Sequence, residues 1–428
     1  MTFIKKLENF KVELSLTLYF IIYYLTHNCP IEWVDKPLFE DGVPPCYLID
    51  YSTGFGRRKL MGELSSLLMG DFITRKELFI FVSIGALILF VLFSFLIGKL
   101  YKRVISTYNK ETYYGFLYIL FLYLCCPFAI TYLFHWENLG RMEMWFFILL
   151  CIYIYLYFKS NEKLRPLWAF VCIMICILIH PIFFSTYFPF YCLMIVYDTF
   201  LEGKLQKEKF IQYCIYLSIA ILLLSILMFF PSEQMPLEEC VEYLKGKTNM
   251  PINDIYINWL FYSSISEHLR IFVIPWLPVT ITGLVVALIV FSPFFAIVIK
   301  YLKNSIRPHM KNTLQIWCYA LAVSPMLIAY FTTIDFGRWV AADVNCVFLF
   351  WGGLLFNGHK TVVIQFENLY QKIKGNVYPY IFLLLYLSCF DKVGFRFQPI
   401  ITDIVEVIAD FELLFIHKCE WLFIQYFS

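Results

Sequence analysis

Apolar runs long enough to cross a bilayer recur along the whole chain, and they constrain its fold more than any motif does. A run of eighteen or more apolar residues with few charges spans hydrocarbon as a helix. The composition excludes a water-soluble class: 61% of the 428 residues are hydrophobic, 15% are charged and the mean hydropathy is +0.70. A soluble domain of that length cannot bury so much apolar surface. The expected fold class is all-α, a polytopic transmembrane helical bundle of about eleven spans. These are expected over 12–25, 77–100, 113–134, 144–158, 167–179, 187–200, 210–230, 271–299, 314–331, 344–356 and 377–390. Pro127 is expected to break the third, and a twelfth span is an option in the tail.

The basic residues orient this array. Lys5, Lys6 and Lys11 precede the first run, which predicts a cytoplasmic N-terminus. No small-residue cleavage site follows that run, so it is expected to stay as an anchor. With alternating spans, short basic segments such as Lys99–Lys110 and Lys159–Arg165 fall on the inner side. The two longest loops, 27–76 and 231–270, fall outside. Residues 1–428 then form a single integral membrane domain. Leu60–Met69 in the first outer loop has apolar residues at helical spacing and is expected as an interfacial helix. The segment 391–428 mixes apolar residues with Asp403, Glu406, Asp410 and Glu412 and is expected to lie in the interface as well.

Ten of the fourteen cysteines lie within apolar runs, where Cys behaves as a small hydrophobe. Cys29 and Cys46 share the first outer loop and are a candidate disulfide. No Cys and His spacing matches a zinc site. No basic block interleaved with aromatics points to nucleic acid.

Ionisable residues at a hydrocarbon boundary are costly unless paired or facing water. The stretch Asp335-Phe336-Gly337-Arg338-Trp339 places such residues between two apolar runs. With the topology above, Asp50, Arg57, Glu137, Arg141, His180, Asp335 and Arg338 all fall on the extracytoplasmic side. Each also has a structural reading. Asp335 and Arg338 stand i,i+3 and satisfy each other if that turn is helical. Asp50 closes a turn, Arg141 snorkels from a helix end, and His180 before Pro181 is a satisfied histidine at a helix break. Glu137 pairs with Arg141.

The functional reading joins these residues at headgroup depth, where a lipid-linked sugar would present its phosphate or diphosphate. Arg141, Arg338 and Arg57 are the candidate anion-binding groups, through fork-shaped hydrogen bonds. Asp50 is the first candidate base for activating an acceptor hydroxyl, with His180 and Asp335 beside it as catalytic candidates. No cofactor is expected; a divalent ion shared by two carboxylates and a diphosphate stays open. The oligomeric state is open too.

Asp50 followed by Leu60–Met69, Arg141 before a span, His180-Pro181 and Asp335-Phe336-Gly337-Arg338-Trp339 together resemble proteins of bacterial surface-polysaccharide clusters. The similarity is to Wzy-like repeat-unit polymerases and GT-C-type glycosyltransferases. It covers most of the chain in topology and a few short motifs in detail. A large soluble outer domain is missing. The resemblance implies a membrane glycosyltransferase or polymerase using a polyprenyl-phosphate-linked sugar, in a bacterial inner membrane. Two alternatives belong to other classes: a transporter or flippase, for which Glu143, Asp198 and Asp343 are the relevant charges, and a non-catalytic membrane scaffold. A transporter predicts ionisable groups deep inside spans and a repeat relating two halves.

Overall fold

Helix accounts for every long element of the computed structural model, which describes residues 10–28, 39, 42–54, 56–134, 138–201, 204–229, 235–262, 270, 281, 285, 288–306, 313–332 and 336–388. The class is all-α. Helix α1 is Lys11–Asn28, and the short α2 is Pro45–Leu48. Helix α3, Leu60–Met69, has the expected bounds, and α4, Arg75–Thr107, is the longest. The latter starts at a capping box, in which Thr74 Oγ1 accepts from Glu77 N–H and the Glu77 carboxylate accepts from Thr74 N–H. Helix α5, Lys110–Leu124, is capped by Asn109 and stops ahead of Pro127, after which Ile130–Phe134 is a 3₁₀ turn.

Helices α6 (Glu143–Lys159) and α7 (Arg165–Ile179) follow, then the single turn α8 (Phe183–Thr186) and α9 (Phe188–Thr199). A two-residue hairpin, β1 (Phe200–Leu201) and β2 (Lys204–Leu205), pairs antiparallel with Phe200 opposite Leu205. Helix α10 is Lys207–Phe229, α11 is Leu237–Lys247 and α12 is Asp254–Ile257. The chain ends in α13 (Ser292–Ile306), α14 (Thr313–Thr332), α15 (Phe336–Phe356), α16 (Lys360–Gly375) and α17 (Tyr378–Ser388). The expected tail segment 391–428, and most of the expected span 271–299, lie outside the described residues.

The expected count of about eleven spans is corrected. Among the described residues three helices are long and apolar enough to cross a membrane: Arg75–Thr107, Lys207–Phe229 and Gly337–Phe356. Prolines shorten two of the others: a proline lacks the amide donor and disfavours helix in the residue before it. Pro127 and Pro181 follow the ends of α5 and α7, each 15 residues long. Fifteen residues rise only about 22 Å, short of a hydrocarbon core of about 30 Å. Hydropathy counts a run straight through such breaks; backbone hydrogen bonding does not.

Two further expectations are corrected, at residues 336–343 and at the candidate disulfide. Residues 336–343, expected as a turn before a span, form the first two turns of α15. Trp339, Val340, Ala341 and Ala342 are buried there, so tertiary packing extends the helix. The basic stretch at 360–375 is helix α16, whose Val362, Phe366 and Leu369 at i, i+4 and i+7 pack on α5. Their contact is close enough that a Cβ at Gly115 would stand 2.2 Å from the Phe366 carbonyl oxygen. The candidate disulfide fails on its described half: Cys46 is a free, buried thiol, and Cys29 lies outside the described residues.

Helix α4 packs on α1, α6 and α15, and α7 packs on α6 and α10. Asp198, buried near the end of α9, ties four helices together. It accepts from Arg165 Nη1 (2.9 Å), Tyr157 OH (3.2 Å), Tyr213 OH (3.1 Å) and Lys209 Nζ (3.5 Å). Four donors around one carboxylate satisfy a buried charge and explain its position as structural.

Candidate functional site

The two loops expected on the outer side fold into one cap. Ile73 N–H donates to the Lys247 carbonyl (2.7 Å), and Thr248 Oγ1 donates to the Ile73 carbonyl (2.6 Å). Met235 N–H reaches the Thr53 carbonyl at 3.2 Å. Helix α3 is pressed onto the backbone at 49–50, where a Cβ at Gly62 would lie 1.9 Å from the Ile49 oxygen. Tyr47 pins the cap to the start of α6: its hydroxyl donates to the Gly140 carbonyl (2.6 Å) and accepts from Trp145 Nε1 (2.8 Å).

Asp50 lies inside this cap. Its Oδ1 accepts from Ser52 N–H (3.0 Å) and so caps the 3₁₀ turn Tyr51–Thr53. Its other oxygen forms an ion pair with Lys247 from the end of α11, both side chains being 8% exposed. Tyr243 OH donates to the carboxylate at 3.2 Å and Ser66 Oγ at 3.4 Å, while Lys247 Nζ also reaches Ser66 at 3.2 Å. Burial alone would raise the Asp50 pKa; Lys247 and Ser52 outweigh it, and the carboxyl is held below its usual range. Asp50 is therefore ionised, with both oxygens engaged, and it pairs with Lys247 rather than with an arginine.

The arginines gather elsewhere. Arg338, in the first turn of α15, forms an ion pair with Glu143 at the start of α6, both nearly buried. Arg141, Asn138 and Tyr132 line a small cavity with that pair. Arg58 has φ +66°, the single non-glycine with positive φ among the described residues. That left-handed conformation costs about 1–2 kcal/mol. A hydrogen bond from Arg58 Nη1 to the Leu260 carbonyl (2.6 Å) holds it. Burial first, and then Arg57, lowers the Arg58 pKa. Glu143 Oε2 and Arg58 Nε are buried without a hydrogen-bond partner among the described residues.

His180 closes α7 in an extended conformation, and its Nδ1 accepts from Ile182 N–H at 3.0 Å. A ring whose Nδ1 is an acceptor carries its neutral-state proton on Nε2. Burial lowers the His180 pKa well below its ordinary value, and Arg58, Arg338, Arg57 and Arg141 lower it further. This places four guanidiniums within electrostatic reach of one neutral imidazole whose Nε2–H is a donor. The Cys46 thiol, near Arg58, Arg338 and Glu143, is pushed up to about 11 by burial and stays protonated.

An apolar groove of about 610 Å³ runs between α3, α4, α6 and α7. Leu60, Trp145 and Ile179 in its lining stand one or two residues from Lys59, Glu143 and His180. Gly85 lets Trp145 pack directly on α4 in its wall, since a Cβ there would meet Trp145 at 2.7 Å.

The structure thus sets Arg141 and Arg338 around one cavity with Glu143, and Arg57, Arg58, Arg141 and Arg338 lie within electrostatic reach of His180. Asp50 belongs to a separate ion pair. Asp335 and Glu137 lie outside the described residues. Lys247 and Tyr243 were not legible as site residues, although Cys240, Leu244 and Lys247 at i, i+4 and i+7 mark the buried face of α11. Among the described residues no three His, Cys, Asp or Glu side chains gather as metal ligands. No protein-family model, curated protein or solved structure matches the chain.

Proposed function

We propose that the chain is an integral membrane glycosyltransferase or repeat-unit polymerase of cell-surface polysaccharide assembly. In this reading it uses a polyprenyl-phosphate- or diphosphate-linked sugar at the extracytoplasmic face of a bacterial cytoplasmic membrane. The observation that carries it is the small cavity shared by Arg141 and the Arg338–Glu143 ion pair, with Arg57 and Arg58 within electrostatic reach of His180 and an apolar groove along α6 and α7. A guanidinium cluster suits phosphate oxygens, and a groove of this size and apolarity suits an isoprenoid chain.

The exposed faces of α4 and α10 support a membrane setting. Ile80, Ile84, Val91, Ile211, Leu222 and Phe229 are all solvent-facing in the isolated chain. So large an apolar surface requires a lipid or protein partner.

The chemistry follows from the charges. The arginines hold the phosphate groups, and His180 Nε2–H donates to a phosphate oxygen. Glu143 replaces Asp50 as the base, because its Oε2 is uncommitted while the Asp50 carboxylate is saturated. The acceptor hydroxyl loses its proton to Glu143 as its oxygen bonds to the anomeric carbon. The bond from that carbon to the phosphate oxygen breaks, and the polyprenyl phosphate leaves with its charge on the arginines.

The test uses the full-length protein in vesicles containing a labelled polyprenyl-diphosphate sugar and an acceptor. Wild type should form the transferred or elongated product. Arg338→Ala and Glu143→Gln should insert normally and lose at least about a hundredfold in rate, the usual cost of removing a transition-state partner. Full activity in both variants overturns the assignment.

A further inference from the structure

A second crevice lies at the opposite ends of the helices that build the arginine site. Glu143 and Lys159 begin and end α6, about 24 Å apart at 1.5 Å per residue. The crevice, of about 210 Å³, is walled by Leu96, Leu100, Ile154, Phe158, Phe348 and Phe356. Gly352 and Gly353 of α15 form its floor. A Cβ at Gly352 would come 3.0 Å from Leu100 and one at Gly353 2.8 Å from Phe158, so larger residues would fill it.

Two ammonium groups stand at its mouth and share one ring. Lys99 Nζ lies 4.7 Å from the Tyr155 ring centre and 4.5 Å from that of Phe95. Lys159 Nζ lies 5.3 Å from the same Tyr155 ring. Neither lysine forms a salt bridge among the described residues. Two like charges beside one ring repel each other, and an anion between them relieves this. An apolar crevice below and paired cations above are complementary to an anionic amphiphile.

We propose that this crevice binds one anionic glycerophospholipid, with an acyl chain against Gly352 and Gly353 and its phosphate bridging Lys99 and Lys159. The site is distinct from the arginine site and does not depend on its reading. Lysines near an anionic headgroup each contribute a factor of roughly five in affinity, so the pair contributes about thirtyfold.

The test is native mass spectrometry of the full-length protein in detergent, titrated with phosphatidylglycerol or phosphatidylcholine of identical acyl chains. Wild type should hold one phosphatidylglycerol about thirtyfold more tightly than phosphatidylcholine. Lys99→Gln/Lys159→Gln should lose that preference. Gly352→Leu, which keeps both lysines and fills the crevice, should lose tight phosphatidylglycerol binding. Thermal unfolding of each variant checks that the fold is kept. Equal binding of the two lipids by wild type overturns the proposal, as does unchanged phosphatidylglycerol binding in either folded variant.

Discussion

Replacing Lys247 with Met tests the cap through its buried ion pair. Asp50 and Lys247 are 197 residues apart, and both side chains are 8% exposed. Without the ammonium, Asp50 keeps its bonds from Ser52 and Tyr243 but loses its ion-pair partner. Removing one partner of a buried pair costs about 3 kcal/mol, the lower end of the usual range, because those hydrogen bonds remain. Asp50→Asn should cost less, about 2 kcal/mol, since the amide still accepts while Lys247 keeps Ser66 and the Tyr243 ring. In the double variant no uncompensated charge is buried, and the loss should shrink to about 1 kcal/mol. The assay is thermal unfolding of the detergent-solubilised protein, read beside membrane abundance. Losses that simply add would refute the claim that the pair joins the two loops. The pH dependence has a definite sign. The folded pKa of Asp50 is depressed, so its contribution is present above the unfolded value of about 4 and is lost as the pH falls through the folded one.

His180 should show in the acid limb of stability. Its folded pKa is lowered, so below the unfolded value of about 6.5 wild type should lose up to about 1.4 kcal/mol per pH unit relative to His180→Gln. Unfolding midpoints of the two proteins should run parallel above pH 7 and diverge below; parallel curves throughout would refute the buried neutral imidazole. Arg338→Lys should keep wild-type membrane abundance but lose donor turnover, because an ammonium cannot fork between Glu143 and a phosphate; equal turnover with wild type would count against that geometry. Gly62→Ala should cost about 2 kcal/mol or more by forcing α3 off the Ile49 backbone, measured as a lowered unfolding midpoint.

Local signals carried well where local forces decide. Helix α3 has the bounds that its apolar spacing predicts, because an amphipathic ten-residue segment between Lys59 and Gly70 has few other arrangements. The break near Pro127 follows from a missing amide donor. Helices α11 and α16 were not anticipated, since Glu238, Glu239, Lys372 and Lys374 obscure short apolar faces that only a partner surface makes worth burying. The expected turn at 336–343 is helical because neighbouring elements cover Trp339 and Ala341.

By itself the sequence determined the helical class and the apolar segments. Those follow from hydropathy and charge, which are properties of each residue and its near neighbours. Only the tertiary structure decided the pairing. Arg338 meets Glu143 across 195 residues, Asp50 meets Lys247 across 197, and Arg141 shares a cavity with the Arg338–Glu143 pair. Ion pairs between distant segments depend on which helix faces pack together, and spacing along the chain carries no record of that.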